Sequence, residues 1–370
     1  MPDVLTEICD RKREHVAQCK ATRPEAILRA ALALARLDPG DAAVDAVSFG
    51  DWLADHGQGP SAVGALWDLI ALPTLNLPAS EASLALGAFV FKNGLLSGAD
   101  AGDIGFHSAT LSETIGEPAA RELSRAGVEV RLGWRAERLS GSAAGLQVQG
   151  RGGSDAGDGE VLDGHAVILA VGHTRAAGLL EALLGEPARR LDALGSSPIV
   201  NLHVVYDRVV CDEPFAAGVG TPVQYVFDRT AAGGAPTGCQ YLAVSLSGAE
   251  REMQMSVDAL RERYLPALRE LFPRAREAKV ELFLATREHA ATFRSAPGVG
   301  SLRPGPATSL PGLVLAGNWT DTGWPATLEG AVLSGHAAAA QALRGLGVKA
   351  AGRSAQTGAP GSRLAGTSAP

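Results

Sequence analysis

The sequence predicts an α/β chain of mixed helix and sheet, and three observations carry that expectation. Apolar residues recur at three- and four-residue spacings from Glu25 to about Gly116, the signature of helices with one buried face. After Gly127 the pattern changes to alternating or continuous apolar runs, as strands require. Further on, a buried run from Leu313 to Ala316 halts at Gly317 and leads into another long helical pattern. With 370 residues the chain has room for two domains with sizeable cores.

Taken in order, the elements divide the chain into six stretches. Residues 1–24 read as a charged helix with Val4, Ile8 and Val16 on one face before Pro24 interrupts it. Residues 25–116 form a helical block in which EAILRAALALARL, FGDWLADHG and SAVGALWDLIAL are separated by Gly and Pro. Between 117 and 185 a short helix ends at Gly127, and VEVRL, AERLSG, GLQVQG and HAVILAV follow as strands. The stretch 186–300 holds IVNLHVVYDRVV, TGCQYLAVSLSG and KVELFLATREH as strands and MSVDALRERYLPALRELF as an amphipathic helix. Residues 301–346 contain the Leu313 strand and a helix from Glu329 to Leu343. The Gly-, Ser-, Ala- and Pro-rich tail, 347–370, is expected to be disordered.

Composition removes several classes of function. A 46% hydrophobic and 20% charged make-up is that of an ordinary globular protein. The 33 Lys and Arg against 40 Asp and Glu leave a net charge of -7, with no basic tract to attract a nucleic acid. Cys9, Cys19, Cys211 and Cys239 form no CxxC pair, so neither a metal site nor a disulfide framework is expected, and a reducing cytoplasm fits. No run of eighteen apolar residues suggests a membrane span.

The stretch LVLAGNWTDTGWPATLEGAVLSG, Leu313 to Gly335, carries the chemistry. A buried strand stops, a polar loop follows, and a helix opens near Thr327. In open α/β sheets this junction aims unpaired N–H groups and the positive end of the helix dipole at a ligand crevice. Gly317, Gly330 and Gly335, with Ala326 and Ala331, let the backbone approach a flat ligand without Cβ obstruction.

The same stretch resembles the FAD-binding signature near the end of flavin amine oxidases, carotenoid desaturases and hydroxysqualene dehydroxylases, over about twenty consecutive positions. The resemblance implies an incomplete FAD/NAD(P)-binding Rossmann-like domain joined to a helical and β-sheet substrate domain, with FAD as cofactor. By position, Gly317 and Asn318 fall at the ribityl and pyrophosphate region. Ala326, Thr327, Leu328 and Gly330 fall against the isoalloxazine. Asn318 departs from the family's usual Asp or Glu, keeping hydrogen-bonding capacity but losing the charge. The middle stretch GVEVRLGWRAERLSGSAAGLQVQG resembles the family's strand pair, and it places Ala136 where a backbone contact to adenine is made.

ALWDLIALPTLNLP, FDRTAAGGAPTGCQYLAVSLSGAE and REHAATFRSAPGVGSLRPGPATSLPGL narrow the resemblance to hydroxysqualene dehydroxylases, with Trp67, Asn76, Gln240, Thr292, Phe293, Arg303 and Pro304 at matching places. Core packing explains Trp67 and Phe293 as well as a substrate tunnel does, and an ion pair would explain Arg303. The resemblance implies hydride delivery from reduced FAD to an allylic carbon of a polyprenyl lipid while hydroxide leaves as water, giving squalene in hopanoid biosynthesis. Asp321, His173 and Glu288 are the candidate assisting acids. A lipid substrate would bring the chain to the inner face of the cytoplasmic membrane as a peripheral protein.

The family's opening strand, GxGxxG turn and helix, which hold the FAD pyrophosphate, have no counterpart before Glu25. In their place ICDRKREHV resembles the opening helix of indole-3-glycerol-phosphate synthases. Two alternatives follow: a non-catalytic or complementation-dependent fragment that works with a separate N-terminal FAD lobe, and a carotenoid desaturase or amine oxidase.

Overall fold

The computed structural model describes residues 24–348 except 99, 143–144 and 153–158. The expected opening helix and tail therefore lie almost wholly outside the described residues.

The helical block forms as the periodicity predicts. Helix α1 spans Pro24–Leu34, with proline at its start, where a missing N–H costs nothing. Helix α2, Phe49–Asp55, is capped by Ser48, whose hydroxyl accepts from the Asp51 N–H at 3.2 Å. A wide π-type turn, Val63–Trp67, leads into α3, Asp68–Leu75, which ends on Asn76 in the left-handed conformation at φ 53°. Helix α4, Leu84–Phe91, is apolar on all sides and accordingly sits inside the block. A Cβ on its Gly87 would stand 2.8 Å from the Phe49 ring, so the glycine lets α4 and α2 pack in close contact. Phe49, Trp67 and Phe91 form a buried aromatic cluster with centroids 4.8 to 5.9 Å apart.

Three sheets follow. After α5, Glu117–Arg125, strands β1 Trp134–Ser142, β2 Gly145–Gly152 and β3 Glu160–Gly164 form an antiparallel meander. Strand β4, Val167–Leu169, leads into α6, His173–Leu184. A five-stranded antiparallel sheet is built from β5 Ser196–Tyr206, β6 Phe215–Ala217, β7 Tyr225–Asp228, β8 Gln240–Ser247 and β9 Val280–Phe293, in the order β6-β7-β8-β5-β9. Strand β5, between β8 and β9, alternates from Ile199 onward: Val200, Leu202, Val204 and Tyr206 are buried in the core formed with α7, Val257–Leu271. Strand β10, Leu313–Leu315, pairs in parallel with β4, and α8, Leu328–Gly345, follows.

One expected strand is absent. VEVRL, residues 128–132, has no strand partner, and Val128, Val130 and Leu132 are exposed. A strand exists only where a neighbour takes its ladder hydrogen bonds, and among the described residues none lies alongside. Among the described residues the β4–β10 pair has only an isolated bridge beside it, from Ala307 to Val314, and Ile168, Leu328 and Val332 are exposed around it. The short strands β6 and β7 carry no alternation long enough to read from the sequence.

Candidate functional site

The chain leaves β10 at Gly317, whose φ of 139° favours glycine. A Cβ here would stand 2.3 Å from Trp319 Nε1, so the turn has no room for a side chain. The Gly317 N–H donates to Ser334 Oγ on α8 at 2.8 Å, and the Gly317 carbonyl accepts from the Thr320 N–H at 3.0 Å. Buried Trp319 donates its indole N–H to the Val171 carbonyl at 2.9 Å, locking this turn to the one that follows β4.

Helix α8 opens behind Thr327, whose hydroxyl accepts from the Gly330 N–H at 3.1 Å. A Cβ on buried Gly330 would stand 2.9 Å from the Pro325 carbonyl, so loop and first turn meet backbone to backbone. The N–H groups of Leu328 and Glu329 precede the first helical bonds and face the helix opening. One strand-to-helix junction therefore holds Gly317, Asn318, Ala326, Thr327, Leu328 and Gly330, and its donors and dipole favour an anionic or electron-rich group.

Arg303 lies beneath this junction. It is buried, donates to the carbonyls of Asn318 at 3.3 Å and of Thr320, and places Cζ 4.9 Å from the centre of the Phe293 ring. Among the described residues no carboxylate lies within ion-pair distance, so it grips carbonyls, and the ion pair that would also have explained its place does not form. Burial pushes its pKa below the ordinary range, opposed by Asp321 and Asp45 at longer range.

The structure does not bring the three candidate acids together. Asp321 is exposed on the junction loop, where its N–H donates to the Pro304 carbonyl at 2.8 Å and its carboxylate accepts from the Gly323 N–H at 3.3 Å. His173 opens α6, buried, with Nε2 3.1 Å from Ser196 Oγ at the start of β5. Burial lowers its pKa, opposed by the Gly195 backbone and Asp192. Glu288 is exposed on β9 opposite Ile199. Ala136 lies on β1, in a different sheet from the junction, and its carbonyl accepts from Arg175.

A cavity of about 480 Å³ lies between the helical block and the five-stranded sheet, and neither Trp67 nor Phe293, the residues weighed for a substrate tunnel, lines it. Ile70, Val90, Leu95, Ile104, Ile199 and Phe227 line it, with Asp103 and Tyr225 among the few polar groups. It is linked to the junction through α4, whose Val90 is in the wall and whose Phe89 meets the Trp324 ring at 5.0 Å. The outward alternation of β5 and β8 was its only trace in the sequence, and that trace does not say what covers the face.

A strand-to-helix junction of this kind suits a flat, anionic cofactor, and comparison with known proteins makes the class specific. Residues 12–343 match the family described as flavin containing amine oxidoreductase, and the chain belongs to that family. It is 33% identical to a hydroxysqualene dehydroxylase of Sinorhizobium fredii over 74% of this chain and 61% of the relative. It is 32% identical to the hydroxysqualene dehydroxylase of Rhodopseudomonas palustris over 75% and 62%. The chain thus spans about three fifths of the length of these curated relatives. In fold it is similar to cyclohexylamine oxidase from Brevibacterium oxydans, with a TM-score of 0.63, 18% identity, and coverage of 87% of this chain and 75% of that one.

FAD is the cofactor that follows from membership. The junction fits its flavin end: a turn without side chains, open helix donors and a buried guanidinium. The pyrophosphate end is not matched, since among the described residues no GxGxxG turn joins a buried strand to a helix.

Proposed function

We propose that this chain supplies the substrate cavity and flavin end of a FAD-dependent oxidoreductase that converts hydroxysqualene to squalene by reductive dehydroxylation. The observation that carries the reading is the apolar wall of the cavity, linked through α4 to the Asn318–Leu328 junction and suited to a hydrocarbon chain far better than to an amine. The names of the two bacterial relatives point the same way.

Bound in reduced form, FAD supplies the hydride. The cavity wall would hold the polyprenyl chain and exclude water from the allylic carbon. The C–O bond breaks as hydride arrives, and the departing hydroxide takes a proton to leave as water. Asp321 borders the junction, Glu288 shares a sheet face with the wall residue Ile199, and Asp103 stands on the wall itself. His173 is tied to Ser196 and serves the joint between two parts of the fold. The α8 terminus favours the negative charge of a reduced flavin. A lipid substrate also implies peripheral contact with the inner face of the cytoplasmic membrane; no helix among the described residues is long and apolar enough to cross one.

A second reading, a fragment that needs a separate N-terminal FAD lobe, is favoured by the open edge of β4 and by the lack of a phosphate turn among the described residues. One experiment separates the readings. The chain is purified alone and co-expressed with the N-terminal lobe of the Sinorhizobium relative, and each preparation is reduced anaerobically with hydroxysqualene. Flavin absorbance and squalene from the chain alone would establish an independent enzyme. Both only with the lobe would establish complementation. Flavin without squalene, but with oxidation of an amine or a carotenoid precursor, overturns the substrate assignment.

A further inference from the structure

Among the cavity-lining residues exposed at the protein surface, two are large and apolar. Leu95 and Ile104 line the cavity, yet they remain 42% and 55% exposed. Beside them Leu96 and Phe106 are 44% and 43% exposed and are not part of the wall. Four large apolar side chains in twelve residues are therefore exposed along the stretch that supplies this part of the cavity wall. Scattered single leucines on a surface need no explanation, whereas a cluster continuous with an apolar cavity does.

The segment is held in place. A Cβ on Gly102 would stand 3.3 Å from Leu95 Cδ2, so the strand of chain lies directly on the end of the helix. Phe106 packs edge-on to Phe215 of β6 at 5.8 Å, and Arg229 donates to the carbonyls of His107 and Ala109. Residues 100–109 thus form a strap from the helical block to the edge of the five-stranded sheet, with Ile104 and Phe106 still about half exposed on it.

We infer that Leu95, Leu96, Ile104 and Phe106 form a docking surface for the acyl region of a lipid bilayer, through which an apolar substrate enters the cavity directly from the membrane. The inference rests on the lipid-substrate reading of that cavity. A bilayer is the occupant that fits, because a protein seated here would cover this part of the cavity wall, while a lipid phase presents the ligand to it. Charge sharpens the inference. Between Leu95 and Phe106 the only ionisable residues are Asp100 and Asp103, and there is no Lys or Arg. Attachment is therefore by apolar insertion and gains nothing from anionic headgroups.

The test is co-sedimentation of the full chain with vesicles of phosphatidylcholine alone and with vesicles enriched in phosphatidylglycerol. The expected result is equal binding to both, insensitive to salt. The variant L96S/F106S, which spares the cavity wall, should bind about tenfold less, and Leu96→Trp should bind more tightly. The control L132S/V332S, on exposed apolar residues of the flavin-binding part, should bind as the parent does. Three outcomes overturn the inference: no binding to either vesicle, binding that requires phosphatidylglycerol, or binding lost in the control but not in L96S/F106S. The Leu96→Trp response keeps the test valid if the double variant folds poorly. Uptake of detergent-solubilised squalene tests the underlying reading separately: the parent and L96S/F106S should take it up and Val90→Trp should not. Failure of that pattern alongside patch-dependent vesicle binding removes the substrate reading and leaves the docking surface standing.

Discussion

Asn76 shows how much one side chain can hold together. It ends α3 in the left-handed conformation, which an asparagine tolerates better than most residues. Its side-chain amide donates to the Ser197 carbonyl at 2.9 Å and to Thr292 Oγ1 at 3.0 Å, and its side-chain oxygen accepts from the Gly248 N–H at 2.7 Å. One residue thus fastens the helical block to β5, β9 and the end of β8. Replacing it with Ala strands a buried carbonyl and a buried N–H, so Asn76→Ala should lower the unfolding free energy by about 2–4 kcal/mol. Denaturant titration would read this as a lower midpoint at constant slope; a loss under about 1 kcal/mol would show that water replaces these partners. Asn76→Asp should lose stability as well, because a carboxylate cannot donate to Ser197. The sequence marks Asn76 by family resemblance alone, since its partners lie 121, 172 and 216 positions away. Gln240 is similar: its amide satisfies Val210, Cys211 and Asp228. Arg303 was legible as a position, while its grip on two carbonyls was not, because only the folded loop brings Asn318 and Thr320 over it.

At the scale of elements, the helices were legible because their caps and periodicity are local. Ser48, Ser83, Ser256 and Thr327 each accept from an N–H in the first turn they precede. The cap on α8 matters most, since it shapes the helix opening that we propose for the flavin end. Thr327→Ala should cost about 1 kcal/mol in thermal or denaturant unfolding, whereas Thr327→Ser should restore most of that loss. Equal effects of Ala and Ser would mean that the methyl group of Thr327 contributes more than its hydroxyl. Strands depend on partners far along the chain, and there local reading reaches its limit. VEVRL has the composition and length of a strand, yet Val128, Val130 and Leu132 stay exposed without a ladder. Strands β5 and β8, of the same quality in sequence, are fully formed because each lies between two neighbours.

The whole molecule rests on two main cores. One joins the helical block to the flavin-binding part, and the other lies between the five-stranded sheet and α7. Two histidines stand at joints around this sheet. His173 links α6 to Ser196, and His203 lies 2.6 Å from the Tyr241 hydroxyl through Nδ1 and 3.0 Å from Thr286 Oγ1 through Nε2, tying three strands across one face. Burial holds both below the ordinary value of 6.5. Below that pH the unfolded chain binds protons that the folded chain resists, so stability falls as pH drops through 6.5 and goes on falling until the lowered values are passed. Carboxylates held low by partners, Glu160 by Arg131 and Asp207 by Arg208, act in a separate window. Their contribution is present above their ordinary values of 4.5 and 3.8 and is lost only as pH falls below those values. Between about pH 7 and pH 5 the histidines therefore dominate the slope. The thermal midpoint of the parent should decline over that interval, and that of H173Q/H203Q should decline distinctly less, since glutamine keeps hydrogen-bonding groups at both joints without titrating. Parallel declines in parent and variant would place the pH-sensitive groups elsewhere in the molecule.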